Sequence, residues 1–246
     1  MNGNERQAYD RGTSLYSPDG RIYQVEYARE AVARGAPAGA VRARDGVVLG
    51  AVVKARSTLQ VEESVEKLHK LDDHLGAATA GHAADARRLV DYARQRAQRE
   101  RLRYGEPADP DTLVTDVADQ IQEHTQSGGT RPFGAALLVG GFVEDEPALY
   151  ALGPEGVPET WRAAVIGADA DPIRERLEET YDEDVAVDDA VSLLVEAFRA
   201  GDDDLDAADL VVAVVDADGY RHLDAAEVAA AFPDDADDPD DADDSA

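Results

Sequence analysis

Between residues 21 and 34 the apolar positions recur at helical spacing. Ile22, Val25, Ala28 and Val32 form one stripe, and Gly35 follows as a natural stop. Tyr23 and Tyr27 lie one turn apart on its flank. From Gly39 the period shortens. Val41 to Arg44 and Val47 to Val53 predict a hairpin turning at Asp45-Gly46, and Leu68 to Leu71 with Leu75 to Thr79 predict a second short pair. Two helices follow. Ala83 to Arg103 carries Ala86, Leu89, Val90, Ala93 and Ala97 on one side, and Thr112 to Thr125 carries Leu113, Val117 and Ile121, with Gly128-Gly129 beyond. Strands are predicted at Ala135 to Val143, Ala148 to Leu152 and Trp161 to Ile166, then helices at Pro172 to Tyr181 and Asp188 to Arg199. Leu210 to Val215 and Tyr220 to Leu223 make a last hairpin around Asp218-Gly219, and Asp224 to Ala231 a closing helix.

Two blocks of strands thus bracket one helix pair, and a second pair follows. Antiparallel sheets with helices on their outer faces suit this order, and a regular βαβ alternation does not. The fold class is α+β. The polar residues 1–10 contain no apolar stretch of the signal-peptide kind, and no apolar run approaches the roughly 20 residues of a membrane span, so the expected compartment is the cytoplasm. Residues 234–246 hold eight Asp in 13 positions and are expected to form an acidic, disordered tail.

Charge narrows the function. The 246 residues carry 53 Asp+Glu against 24 Lys+Arg, a formal charge of -29. Sequence-blind nucleic-acid binding needs a cationic surface to displace phosphate counterions, so it is excluded. The absence of Cys excludes disulfides, thiolate metal sites and a Cys nucleophile. Only three of the basic residues are lysines: Lys54, Lys67 and Lys70. Acids spread along the whole chain favour adaptation to high salt, where counterions screen self-repulsion, over one acidic binding face.

No GxSxG, P-loop, HExxH or GxGxxG pattern is present. Asp216-Ala217-Asp218-Gly219 resembles part of a calcium loop, but Val214 and Ala225 would then fall at ligand positions, so a hairpin turn fits better. His69, Lys70, Asp72, Asp73 and His74 are a local polar cluster whose two His should point to opposite faces. Glu62, Glu63 and Glu66 fit a solvated face. Two segments exceed generic packing. Residues 9–28 hold four of the nine Tyr among charges and turn residues, and Gly128 to Gly134 is a distinctive loop between helix and strand.

The first of these, YDRGTSLYSPDGRIYQVEYAREAV, closely resembles the N-terminal signature of proteasome alpha subunits of the archaeal 20S type. The segments VEKLHKLDDHLGAATAGHAADARRLVDYAR, HTQSGGTRPFGAALLVGG and AAVIGADAD also resemble that family, over roughly Gln7 to Phe232. The lysine-poor composition is similar to that of haloarchaeal members. The resemblance implies a four-layer αββα sandwich, the N-terminal-nucleophile hydrolase fold, with an extra N-terminal helix. It divides the chain into a mobile gate segment (1–12), an alpha-type proteasome domain (13–233) and the acidic tail (234–246).

The same resemblance implies a non-catalytic chain without cofactor or metal. Catalytic beta subunits use an N-terminal Thr as nucleophile and its amine as base. In the register of Asp45-Gly46-Val47 that Thr would fall near Ala36, within Gly35-Ala36-Pro37-Ala38, where no hydroxyl stands. Lys67 falls where those subunits keep a catalytic Lys. In alpha subunits the matching Lys lines a pocket that receives the C-terminal carboxylate of a regulatory AAA ATPase. Gly81, Glu26 and Arg29 are implied for the same pocket. Tyr9, Asp10, Arg11, Pro18 and Tyr27 match the cluster that holds the axial gate open, an order–disorder switch. The implied partners are other alpha subunits in a heptameric ring, beta subunits, the ATPase and unfolded protein substrates in transit. Two alternatives from the residues alone are a free-standing N-terminal-nucleophile hydrolase and an acidic adaptor domain.

Overall fold

The computed structural model describes residues 23–53, 59, 65–126 and 131–232. Helix α1 (Tyr23–Ala33) precedes β1 (Ala38–Arg42) and β2 (Gly46–Val52). Strands β3 (Leu68–Asp72) and β4 (Leu75–Gly81) lead into helices α2 (Ala83–Tyr104) and α3 (Pro110–Gln126). Then come β5 (Ala135–Val143), β6 (Glu146–Leu152), β7 (Pro158–Thr160) and β8 (Ala163–Ile166). Helices α4 (Ala170–Thr180) and α5 (Val187–Gly201) follow, then β9 (Leu210–Asp216), β10 (Gly219–His222) and α6 (Ala225–Ala230).

The strands form two antiparallel five-stranded sheets, ordered β10-β9-β2-β1-β8 and β3-β4-β5-β6-β7. Side-chain alternation assigns each face. Val41, Val48, Val212 and Val214 turn outward onto Leu194 and Phe198 of α5 and Ile173 and Leu177 of α4. Their neighbours Ala40, Val47, Leu49, Ala213 and Val215 turn inward and meet Ala78, Leu138 and Leu149 of the second sheet. Leu137 and Val139 of β5 face the other way, onto Leu89 and Val90 of α2 and Val117 and Ile121 of α3. The layers are therefore helix pair, sheet, sheet, helix pair. This is the αββα sandwich, with α1 added at one end.

Local signals set the element ends. The Asp109 carboxylate accepts from the N–H of Thr112, and Pro110 opens α3 where its missing N–H costs nothing. Asp224 and Glu227 form a capping box at α6. One expectation needs correction. Trp161 to Ile166 is not a single strand. The chain leaves the second sheet after β7, passes Trp161 and Arg162, and enters the first sheet at β8. The switch is carried by backbone bonds: Trp161 N–H still donates to Leu149, while the Arg162 carbonyl already accepts from Arg42 N–H.

Candidate functional site

Lys67 immediately precedes β3, in line with the end of β4. The Thr79 N–H donates to the Lys67 carbonyl at 3.0 Å, and the Thr79 hydroxyl to the same oxygen at 3.3 Å. The side chain crosses to the start of the other sheet. Its Nζ donates to the carbonyl of Ala36 at 2.5 Å and to that of Pro37 at 3.3 Å. An ammonium has three N–H donors, and among the described residues this geometry commits two of them. Burial strips water from the charge and lowers the Lys67 pKa from 10.5 to about 8.

The backbone that receives Lys67 is packed unusually closely. Gly35 ends the turn after α1, its N–H donating to the Val32 carbonyl. A side chain at Gly35 would collide with the backbone of Gly81, which lies at φ +100° and itself abuts the Gly134 carbonyl. Lys67 and Gly81 thus meet around residues 35–36. No hydroxyl or thiol is present at Gly35-Ala36-Pro37-Ala38.

Glu26 and Arg29 belong to the helix that precedes the Gly35 turn. Both are exposed on α1, and Arg29 pairs with Glu155 of the β6–β7 turn at 3.1 Å. Among the described residues neither is hydrogen-bonded to Lys67. Tyr27 is 66% exposed, so its ring is not part of this chain's core. Tyr9, Asp10, Arg11 and Pro18 lie outside the described residues.

The loop before β5 is a clamp that sequence reasoning singled out without resolving. Arg131 makes a two-pronged pair with the buried carboxylate of Asp85 in the first turn of α2, at 2.6 and 2.9 Å. Asp85 also accepts from the Gly134 N–H at 2.9 Å. Burial would raise the Asp85 pKa, but the Arg131 and Gly134 hydrogen bonds outweigh it and hold the pKa below its usual value. Phe133 is buried and packs its ring 4.6 Å from His124. The clamp fixes Gly134, whose carbonyl accepts from His82 N–H and touches Gly81.

The His69–His74 cluster does not converge. His69 is buried, with Nε2 3.4 Å from the Thr79 hydroxyl and Nδ1 3.4 Å from Glu66. Burial lowers its pKa, against the opposing charge of Glu66. His74 instead reaches the Ala108 carbonyl through Nε2 at 2.8 Å. Among the described residues, no three His, Cys, Asp or Glu side chains gather as a metal ion would require.

A sandwich of this layering, with a lysine ammonium reaching across to the start of β1, defines the N-terminal-nucleophile hydrolase class of fold. The chain belongs to the proteasome subunit family. Residues 32–215 match the general proteasome subunit model, and residues 9–31 match the N-terminal signature of A-type proteasome subunits. The chain is 55% identical to the alpha 2 proteasome subunit of Haloferax volcanii, over 95% of this chain and 94% of that protein. It is 51% identical to the alpha proteasome subunit of Haloquadratum walsbyi (89% and 88% covered) and 51% identical to that of Halobacterium salinarum (96% and 94%). No described helix is long and apolar enough to cross a membrane.

Proposed function

We propose that this chain is a non-catalytic alpha subunit of a 20S proteasome, forming a heptameric outer ring that admits unfolded proteins to beta subunits where the peptidase activity resides. The observation that carries this reading is the Lys67 ammonium resting on the Ala36 carbonyl where no nucleophile stands. A lysine so placed has no hydroxyl to activate, but its ammonium suits an incoming carboxylate. The alpha-type signature over residues 9–31 and relatives named as alpha subunits support the same reading.

Lys67 with Gly81 then docks the C-terminal carboxylate of a regulatory AAA ATPase, and Glu26 and Arg29 contribute from the exposed face of α1. Residues 1–12 form the gate, with Tyr9, Asp10, Arg11, Pro18 and Tyr27 holding its open arrangement. The ATPase acts by binding one arrangement better and shifting the population toward it. Residues 13–233 are the ring-forming domain and residues 234–246 a solubilising acidic tail, in a cytoplasmic particle. The Lys67→Ala protein should assemble normally, as read by size-exclusion chromatography in molar salt, and lose ATPase-stimulated protein degradation. Stimulation equal to that of the unsubstituted protein would refute docking at Lys67.

A further inference from the structure

Two carbonyls hold the Lys67 ammonium, and what holds the carbonyls is a glycine outside the implied pocket. After β8 the chain turns at Gly167, with φ +105°, before entering α4. A Cβ at this position would lie 2.8 Å from the Ala36 oxygen, 2.9 Å from the Gly35 oxygen and 2.9 Å from the Pro37 Cα. The next residue, Ala168, donates its N–H to the Gly35 carbonyl at 2.7 Å. On the other side, the Pro37 carbonyl accepts from Val52 N–H at 3.0 Å. The segment 35–37 is therefore gripped between β2 and the turn into α4, and its two following carbonyls point at Lys67.

We propose that Gly167 is a positioning residue of the Lys67 site: its backbone lies against residues 35–37 where no Cβ fits, and so fixes the carbonyls that aim the ammonium. The value of that aim for ligand binding rests on the carboxylate-docking reading of Lys67. The positioning itself does not. Any side chain at 167 meets an immovable partner, because the nearest atoms are backbone and not the end of a flexible side chain. Pushing the Ala36 oxygen away takes from the ammonium an acceptor that favours its charged form, so Lys67 no longer titrates as it does when held.

The chain supplies its own control for strain. Gly105 is also left-handed, at φ +77°, but a Cβ there would meet no atom within 4 Å. Gly105→Ala therefore carries a positive-φ cost without touching the site, which Gly167→Ala does touch. The assembled ring is made with 13Cε,15Nζ-labelled lysine, and the Lys67 resonance, assigned with Lys67→Arg, is followed against pH. Gly167→Ala should move the Lys67 midpoint away from about 8, while Gly105→Ala leaves it in place. Binding of a short peptide ending in a free carboxylate should weaken about tenfold in Gly167→Ala alone, the size of one lost charge-assisted hydrogen bond.

A folded Gly167→Ala ring with unchanged Lys67 titration would overturn the proposal, as would an equal shift in Gly105→Ala. Should Gly167→Ala fail to assemble, Ala168→Pro carries the same prediction by removing the N–H given to Gly35. If the unsubstituted ring binds the free-acid peptide no better than its amide, the docking reading fails. The titration then still decides the role of Gly167.

Discussion

The two rims of the sandwich are built on opposite principles. At one rim, where β1 and β3 begin and β4 ends, a single lysine loses its water to backbone carbonyls among tightly packed glycines. At the other, the turns that close β3–β4, β5–β6 and β9–β10 surround an open cleft of about 380 Å³. That cleft is strongly charged, with Asp73, Glu144, Asp145, Asp216 and Asp218 around Arg101 and His74. Yet part of its charge is satisfied locally. Asp73 pairs with Lys70 and Arg101, and Asp216 accepts from the N–H of Asp218. Exposed pairs of that kind contribute little and are screened by salt. The desolvated Lys67 is screened far less, so in a chain of charge -29 it offers a carboxylate a cation that salt masks little.

Removing one cation from each rim should break the comparison most visibly. Lys67→Ala should weaken binding of a carboxylate-terminated peptide by a hundredfold or so, about 3 kcal/mol for a partly buried charged hydrogen bond, whereas Arg101→Ala should change it less than twofold. Isothermal titration of both rings checks this. Equal losses would mean that bulk charge, not the Lys67 geometry, attracts the peptide.

Arg131→Ala comes next and reads out through stability. Among the described residues it leaves the buried Asp85 carboxylate with the Gly134 N–H as its remaining bonded partner, at a cost of about 1–3 kcal/mol in chemical denaturation. Arg131→Lys should recover part of that, because one prong survives. A midpoint unchanged by Arg131→Ala would show that the exposed guanidinium contributes nothing to the clamp.

The smallest effect belongs to the far rim. Glu144 and Asp145 turn the β5–β6 hairpin at φ 54° and 64°, a conformation that favours Asn-Gly. Replacing the pair by Asn-Gly should raise stability by about 0.5–1 kcal/mol without altering peptide binding. A change in binding would mean that the two rims are coupled.

The legible part of this molecule is what side chains announce. The Asp-Gly dipeptides at 45–46 and 218–219 mark two hairpins that the structure contains, and the apolar stripes of α2 and α3 appear as written. The four-layer sandwich followed only from the family resemblance, since periodicity says which face is buried and not against which layer. The 158–166 switch between sheets left no trace, because Trp161 and Arg162 change partners through backbone atoms alone. The Lys67 site shows the same limit. The resemblance pointed to Lys67 and Gly81, but the acceptors are carbonyls of Ala36 and Pro37, and the wedge behind them is Gly167. None of these carries a functional side chain. Glu26 and Arg29 were grouped with Lys67 by motif, whereas in the single chain Arg29 is engaged by Glu155.

The titration of Lys67 gives the most direct test, because it moves binding and stability in opposite directions. The ammonium form binds a carboxylate, so peptide affinity should fall as pH rises through about 8. Holding that buried charge costs stability, fully so below about pH 8. Between about 8 and 10.5 the unfolded chain binds the proton more strongly than the folded one, so the Lys67 contribution to stability rises with pH. In Lys67→Arg the guanidinium stays charged throughout, and the pH dependence of binding should vanish. The measurement is peptide affinity from pH 6.5 to 9.5 in the unsubstituted and Lys67→Arg rings at constant molar salt. A decline with a midpoint near 8 in the first and a flat profile in the second is the predicted result. The same profile in both would contradict the assignment of carboxylate docking to Lys67.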